Sequence, residues 1–229
     1  MNHRNNLLRL KVVANALKEL RPDVVFVGGA TLSLYSDLIT YDVRPTDDVD
    51  IIIEVISYKA RTTLEEKLRG LGFVNDIDST VVCRYKIHGI IVDIMPTKDT
   101  SFIGFENIWY HDGFHNSATY LLDDKLDIRI LSAPYFLATK TEAFKARGGK
   151  DGRTSQDFED IVFVLENRAS IWSEIKNAEP PLKNYLISEF SLLMRNANFF
   201  EWIDCHVNQG APPASYMIME ELETLTAES

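Results

Sequence analysis

Hydrophobic patterning along the chain predicts an α+β fold: a mixed sheet with flanking helices, followed by a helical bundle. Two observations carry that prediction. Up to about residue 132, apolar runs of strand length alternate with amphipathic stretches of helical spacing. From Pro134 onward, every apolar pattern is helical. The break divides the chain into an expected sheet domain over 1–132 and an expected helical domain over 133–229. With 229 residues, 45% of them apolar, the chain is long enough to bury a real core.

The elements follow in order. Leu7, Leu10, Val13, Ala14, Leu17 and Leu20 recur at spacings of three and four, one face of a helix that Pro22 stops. Val24-Val25-Phe26-Val27 is a continuous apolar run ending at Gly28-Gly29, a buried strand. A short helix is expected from Ala30 to Ser36, then a polar loop from Asp37 to Asp47. Val49 to Val55 reads as a strand, and Lys59 to Leu71 as a helix stopped by Gly72. Thr80 to Ile87 and Ile90 to Met95 are β-rich runs joined at His88-Gly89, a hairpin signal. Residues 97–132 are mixed, with Leu126 to Leu131 the clearest strand. Helices are expected over Tyr135–Ala146, Ser155–Glu166, Ser170–Asn177, Leu182–Asn196 and Phe199–Val207, before an acidic tail after Pro213. Tyr185, Phe190, Phe199, Phe200 and Trp202 are expected to be core.

Composition excludes several function classes. No apolar run approaches the roughly 18 residues of a membrane helix, and the N-terminal segment lacks a signal-peptide pattern. A cytoplasmic location is expected. Cys83 and Cys205 have no histidines at metal spacing and read as free thiols, so no structural zinc site is expected from them. A net charge of −10 does not draw nucleic acid through the overall field. A polynucleotide would need a local basic patch, and Lys140, Lys145, Arg147, Lys150 and Arg153 supply a candidate against Glu142 and Asp151. A solvated helix end reads equally from those charges.

Three features carry chemistry. Gly28-Gly29-Ala30-Thr31 closes a strand and opens a helix, where a bare backbone can approach a phosphate. Asp48-Val49-Asp50 puts two carboxylates on one face of a strand start, an arrangement that a divalent cation stabilises. Asp93 interrupts the apolar strand Ile90-Ile91-Val92-Asp93-Ile94-Met95 and needs a partner there. Taken together, these carboxylates can seat two metal ions for transfer of a phosphorylated group, a reaction that asks the protein mainly for positioned charge. Trp109, Tyr110, Phe114 and His115 read either as a base-stacking lid or as a packed loop.

The same residues carry a resemblance. Gly28-Gly29-Ala30-Thr31, Arg44-Pro45-Thr46-Asp47-Asp48-Val49-Asp50 and Val92-Asp93-Ile94 resemble the nucleotidyltransferase superfamily with a DNA polymerase β-like palm. Leu137 to Gly148, with Lys140 and Arg147, followed by Gln156-Asp157-Phe158-Glu159-Asp160-Ile161, is similar to the AbiEii-type (MenT-like) toxin nucleotidyltransferases. The resemblance implies Asp48, Asp50 and Asp93 as ligands of Mg²⁺, or of Mn²⁺ in its place. It implies Gly28, Gly29 and Thr31 at the nucleotide, with Thr31 standing in for a phosphate-binding serine. Lys140 matches a catalytic lysine on the nucleotide phosphates, and Arg147, Asp157 and Asp160 support nucleotide binding. The helical domain would contribute to the active-site cleft.

The expected function is therefore Mg²⁺-dependent transfer of a nucleotide from an NTP to a hydroxyl of RNA, such as a tRNA end, or of a protein. A cognate antitoxin is an expected partner; a membrane is not. Two alternatives stay open: adenylylation of a small molecule of the aminoglycoside kind, and nucleotide binding without turnover.

Overall fold

The structure, a computed structural model, describes residues 2–37, 43–55, 58–98, 106–208 and 214–227. Parts of the expected loop (38–42), of the mixed stretch (99–105) and of the segment around Pro213 lie outside the described residues. The chain divides into two compact units, Met1–Leu34 with Thr40–Ser132, and Tyr35–Ile39 with Ala133–Ser229.

The first unit is built on a seven-stranded mixed sheet. Its strands are β1 (Val24–Val27), β2 (Asp48–Ile53), β3 (Val74–Asn75), β4 (Arg84–Ile87), β5 (Ile90–Pro96), β6 (Ser117–Asp123) and β7 (Leu126–Leu131). They lie in the order β3-β4-β5-β2-β1-β7-β6. β1 runs antiparallel to β2 and parallel to β7, while β2 runs parallel to β5. The remaining neighbours are antiparallel. All four residues of β1 are buried in this inner position, which is why it reads as an unbroken apolar run. The β4–β5 turn places His88 at φ 50° and Gly89 at φ 80°, the pair of positive values that a tight two-residue hairpin requires.

Helix α1 (Asn2–Leu17) packs across β2, β5 and β7 with Leu10, Val13, Ala14 and Leu17 fully buried. It ends at Leu17 rather than Leu20: the chain tightens into a 3₁₀ segment over Lys18–Asp23 that still buries Leu20. Pro22 within that segment has no N–H to continue an α-helical ladder. The short helix expected after Gly28-Gly29 is likewise 3₁₀, over Gly29–Tyr35. Helix α2 (Tyr58–Gly70) stops just before Gly72, which sits at φ 92°.

Helix α3 (Tyr110–His115) is not anticipated by the sequence pattern. Its six residues include Gly113, a poor helix former. Burial of Tyr110 and Phe114 holds it in place. With Trp109 buried too, these aromatics are packed and do not form an exposed stacking surface.

The second unit contains α4 (Ala133–Ala146), α5 (Gln156–Asn167), α6 (Ile171–Lys176), α7 (Pro180–Met194), α8 (Phe199–Asp204) and α9 (Ala214–Ala227). Phe144, Phe158, Phe199 and Trp202 form an aromatic centre, with ring centroids 5.4 to 6.5 Å apart. Phe190 joins the core, but Phe200 departs from expectation: it is exposed and leans on Tyr216 at 5.1 Å. The tail is a full helix, because Ile218, Leu222 and Leu225 recur at helical spacing and are buried. Among the described residues, no helix is long and apolar enough to cross a membrane.

Candidate active site

Sheet register builds the site. Asp50 on β2 stands opposite Val27 of β1 on one side and Asp93 of β5 on the other. Asp93 in turn stands opposite Arg84 of β4. Asp50, Asp93 and Arg84 therefore form one row across three neighbouring strands, each step about 4.8 Å. Asp48 precedes Asp50 by two residues and shares its face, while Val49 between them is buried. One carboxylate oxygen from each of Asp48, Asp50 and Asp93 lies within 4.8 Å of the others.

Arg84 is part of this cluster. Its Nε donates to Asp93 Oδ1 at 2.8 Å and a terminal nitrogen donates to Asp93 Oδ2 at 2.7 Å. The same nitrogen reaches Asp48 Oδ2 at 3.4 Å. The hydrogen bonds to Asp93 hold the guanidinium in its charged form even more firmly than usual. Three carboxylates outnumber the Arg84 guanidinium that pairs with them, and a divalent cation offsets such an excess of negative charge. A set of clustered carboxylate oxygens is also what a hard divalent ion takes as ligands. The residues thus fit a divalent metal. Beside them Cys83 is buried, and its thiol is pushed up to about 11 by desolvation and then by the Asp93 charge.

The loop that delivers Asp48 is clamped from α1. Asn6 is fully buried inside the unit. Its amide nitrogen donates to Arg44 O at 3.4 Å, and Thr46 Oγ1 donates to its carbonyl oxygen at 3.2 Å. One turn further along, Arg9 donates to Thr46 O and pairs with Asp47 at 3.5 Å.

Gly28-Gly29 serves this constellation in a way its sequence does not announce. Gly28 has φ 72°, and a Cβ built on it would lie 2.0 Å from Asp50 Oδ2. A Cβ on Gly29 would lie 2.3 Å from the Arg44 guanidinium. The space left by both glycines is taken by Asp50 and Arg44. Thr31 is fully buried, and its hydroxyl donates to Gly28 O at 2.9 Å, so it holds the turn.

In the second unit Lys140, Asp157 and Asp160 meet in a buried cluster that the exposed Arg147 joins from its rim. Lys140 lies on α4 and Arg147 directly after its last residue, two turns further on, while Asp157 and Asp160 lie one turn apart on α5. Lys140 Nζ is 2.6 Å from Asp160 Oδ2 and 3.2 Å from Asp157 Oδ1, and Arg147 also pairs with Asp157. Asp157 is 3% exposed and Asp160 0%. Two cations against two carboxylates balance. Two more cations of the basic segment are paired: Lys145 with Glu142 and Glu189, and Arg153 with Asp151 and Glu201.

Sequence reasoning misses Arg84, Asn6 and the role of Arg44. A signal for Arg84 is present: a two-residue turn at His88-Gly89 pairs Ile87 with Ile90, and propagating that register puts Arg84 opposite Asp93. Asn6 carries no such signal, because its partners lie 38 and 40 residues away.

Comparison with known proteins places the chain by family and by fold. The profile of the family described as "Nucleotidyl transferase AbiEii toxin, Type IV TA system" matches residues 12–180. No curated protein matches the chain. Several solved structures share its fold, two of them as follows. One is an antigenic nucleotidyltransferase-like protein from Paracoccidioides brasiliensis, at TM-score 0.50 and 17% identity over 89% of this chain and 95% of that one. The other is the antibiotic-resistance factor ANT(2'')-Ia, at TM-score 0.51 and 14% identity over 85% of this chain and 97% of that one.

Proposed function

Because the chain belongs to the AbiEii nucleotidyltransferase toxin family, we propose that it transfers a nucleotide from an NTP to a hydroxyl of RNA or protein, as the toxin of a type IV toxin–antitoxin pair. The observation that carries the reading is the convergence of Asp48, Asp50 and Asp93 beside a glycine turn. These three residues would hold the divalent metal, with Mg²⁺ the ion that suits an all-oxygen set. When bound, the ion polarises the triphosphate and lowers the pKa of the attacking hydroxyl.

The chain's own residues orient the rest. Asp48 and Asp50 face one way from the start of β2, held there by the Asn6 and Arg9 clamp. Asp93 accepts a hydrogen bond from Arg84 on each of its two oxygens. Gly28 lets the backbone lie against the Asp50 carboxylate, and the Arg44 guanidinium lies beside Gly29. Lys140, held by Asp157 and Asp160, is proposed as a phosphate-binding lysine, which Arg147 supports through Asp157. The acceptor hydroxyl needs only to be placed in line with the transferred phosphorus.

A second acceptor class is favoured by one observation. The basic segment is largely ion-paired within the unit, and the chain carries a net −10, so a cationic small molecule meets less repulsion than a polynucleotide. The decisive experiment incubates the protein and Mg²⁺ with each α-labelled NTP and with total RNA, a protein extract or a panel of cationic small molecules. Label is expected in RNA or protein, and to disappear in Asp50→Asn. Label in small molecules alone moves the assignment to the second class. Undiminished transfer by Asp50→Asn overturns the assignment of the site.

A further inference from the structure

A second group of metal-ligating side chains closes at the far end of β2, about 20 Å along the strand from Asp48 at roughly 3.3 Å per residue. Glu54 directly follows Ile53, the last residue of β2. His111 and His115 stand four residues apart on α3, which packs against β2. That spacing puts both imidazoles on one helix face. One ligand atom from each of the three residues lies within 4.8 Å of the others.

The distances favour an ion over a simple ion pair. His115 Nε2 is 3.3 Å, and His111 Nδ1 3.8 Å, from the same oxygen, Glu54 Oε1. A tetrahedral ion with bonds of about 2.0–2.1 Å needs donor–donor edges of about 3.3–3.4 Å. One edge already has that length, and the other needs a closure of a few tenths of an ångström. The 3.8 Å contact is too long for a hydrogen bond.

A separate observation concerns His111 alone. Its Nδ1 is sealed from solvent and has no hydrogen-bond partner among the described residues. A buried imidazole nitrogen left without a partner is costly, and a bound cation satisfies it. The donor set also selects the ion. Two imidazole nitrogens and one carboxylate suit a borderline transition metal, whereas Mg²⁺ prefers oxygen ligands in an octahedron. Glu54 also lines a cavity of about 670 Å³ beside Phe114.

We propose that Glu54, His111 and His115 bind a divalent transition-metal ion of the zinc type, with a fourth position open to an exchangeable ligand. The site ties α3 to the end of β2 and is separate from the aspartate cluster in place and in metal preference.

The test uses the full chain in excess Mg²⁺. Zn²⁺ binding is measured by equilibrium dialysis with metal analysis, and Co²⁺ is followed by its visible absorption in tetrahedral coordination. One tightly held Zn²⁺ per chain is expected, and is retained in Asp48→Asn, which sets the aspartate cluster aside. His115→Ala and Glu54→Gln change exposed or partly exposed side chains and so spare the core. Each is expected to weaken Zn²⁺ by more than about 100-fold, beyond the 10–100-fold that loss of a supporting contact alone costs. Failure to bind stoichiometric Zn²⁺, or binding unchanged in both variants, overturns the site. Transfer activity does not enter either readout, so the outcome is independent of the nucleotidyl-transfer assignment.

Discussion

Arg84 grips Asp93 by both carboxylate oxygens, at 2.8 and 2.7 Å, while also reaching Asp48 at 3.4 Å. A fixed positive charge thus sits among the acids proposed to hold the metal. It offsets their mutual repulsion and competes with the incoming ion. Arg84→Met is expected to tighten Mg²⁺ binding at least about tenfold, or ~1.4 kcal/mol. Without divalent ion it should destabilise the protein by about 1–3 kcal/mol, the cost of a carboxylate left without its donors. Calorimetric titration with Mg²⁺ and urea unfolding with and without it check both. Weaker Mg²⁺ binding would show instead that Arg84 keeps Asp93 in its ligating position.

Gly28→Ala tests how closely the turn approaches Asp50. The added Cβ would meet Asp50 Oδ2 at 2.0 Å, on a backbone at φ 72° that alanine adopts poorly. Asp50 must move, and a displacement of about 1 Å at a reacting centre costs on the order of 10²-fold in rate. Loss of transfer is expected at that scale or larger. Gly72→Ala, where φ is also positive, at 92°, but the nearest atom is 3.5 Å away, is the control for backbone strain.

Asn6→Ala removes the buried amide that joins α1 to Arg44 and Thr46. Leaving those groups without their partner should cost about 1–3 kcal/mol in urea unfolding. Transfer should fall as well, because the segment leading into Asp48 loosens. An unfolding midpoint equal to wild type would mean that Arg9 alone carries the clamp.

Lys140→Met leaves Asp157 and Asp160, both buried, with one cation fewer. Breaking a buried pair by removing one partner costs about 3–5 kcal/mol. The triple change Lys140→Met, Asp157→Asn, Asp160→Asn should recover much of that stability without recovering transfer. Recovery of both would assign the cluster to folding alone.

Cys83 and Cys205 separate by reactivity. Cys205 is exposed, whereas Cys83 is buried with its thiol pushed up to about 11. At pH 8 an alkylating reagent should label Cys205 and spare Cys83 in the native protein, as mass spectrometry will show. Because the folded value lies above the ordinary 9.0, the stabilising contribution of the Cys83 thiol is complete below about pH 9 and is lost as pH rises toward about 11. Cys83→Ser should flatten that part of the stability curve.

The fold class follows from local pattern because strands and helices differ in the period of their apolar residues. β1, β2, β5, β7 and the helices of the second unit all show it. Elements that owe their form to packing escape it: α3 carries a glycine, β3 has two residues, and the 3₁₀ segments are settled by neighbouring contacts.

Asp48 and Asp50 declare a shared face by their spacing, and Asp93 declares a missing partner by interrupting an apolar strand. Their meeting depends on β2 lying parallel to β5 with Asp50 opposite Asp93, a register joined by a long crossover that no local rule sets. The glutamate–histidine cluster is more distant still, since Glu54 and α3 come together only through sheet packing. The sequence by itself determined which segments are strands and helices and which acids are out of place in them. Tertiary structure alone decided who stands beside whom, because a side chain's charge is partnered through space and the chain sets only its order.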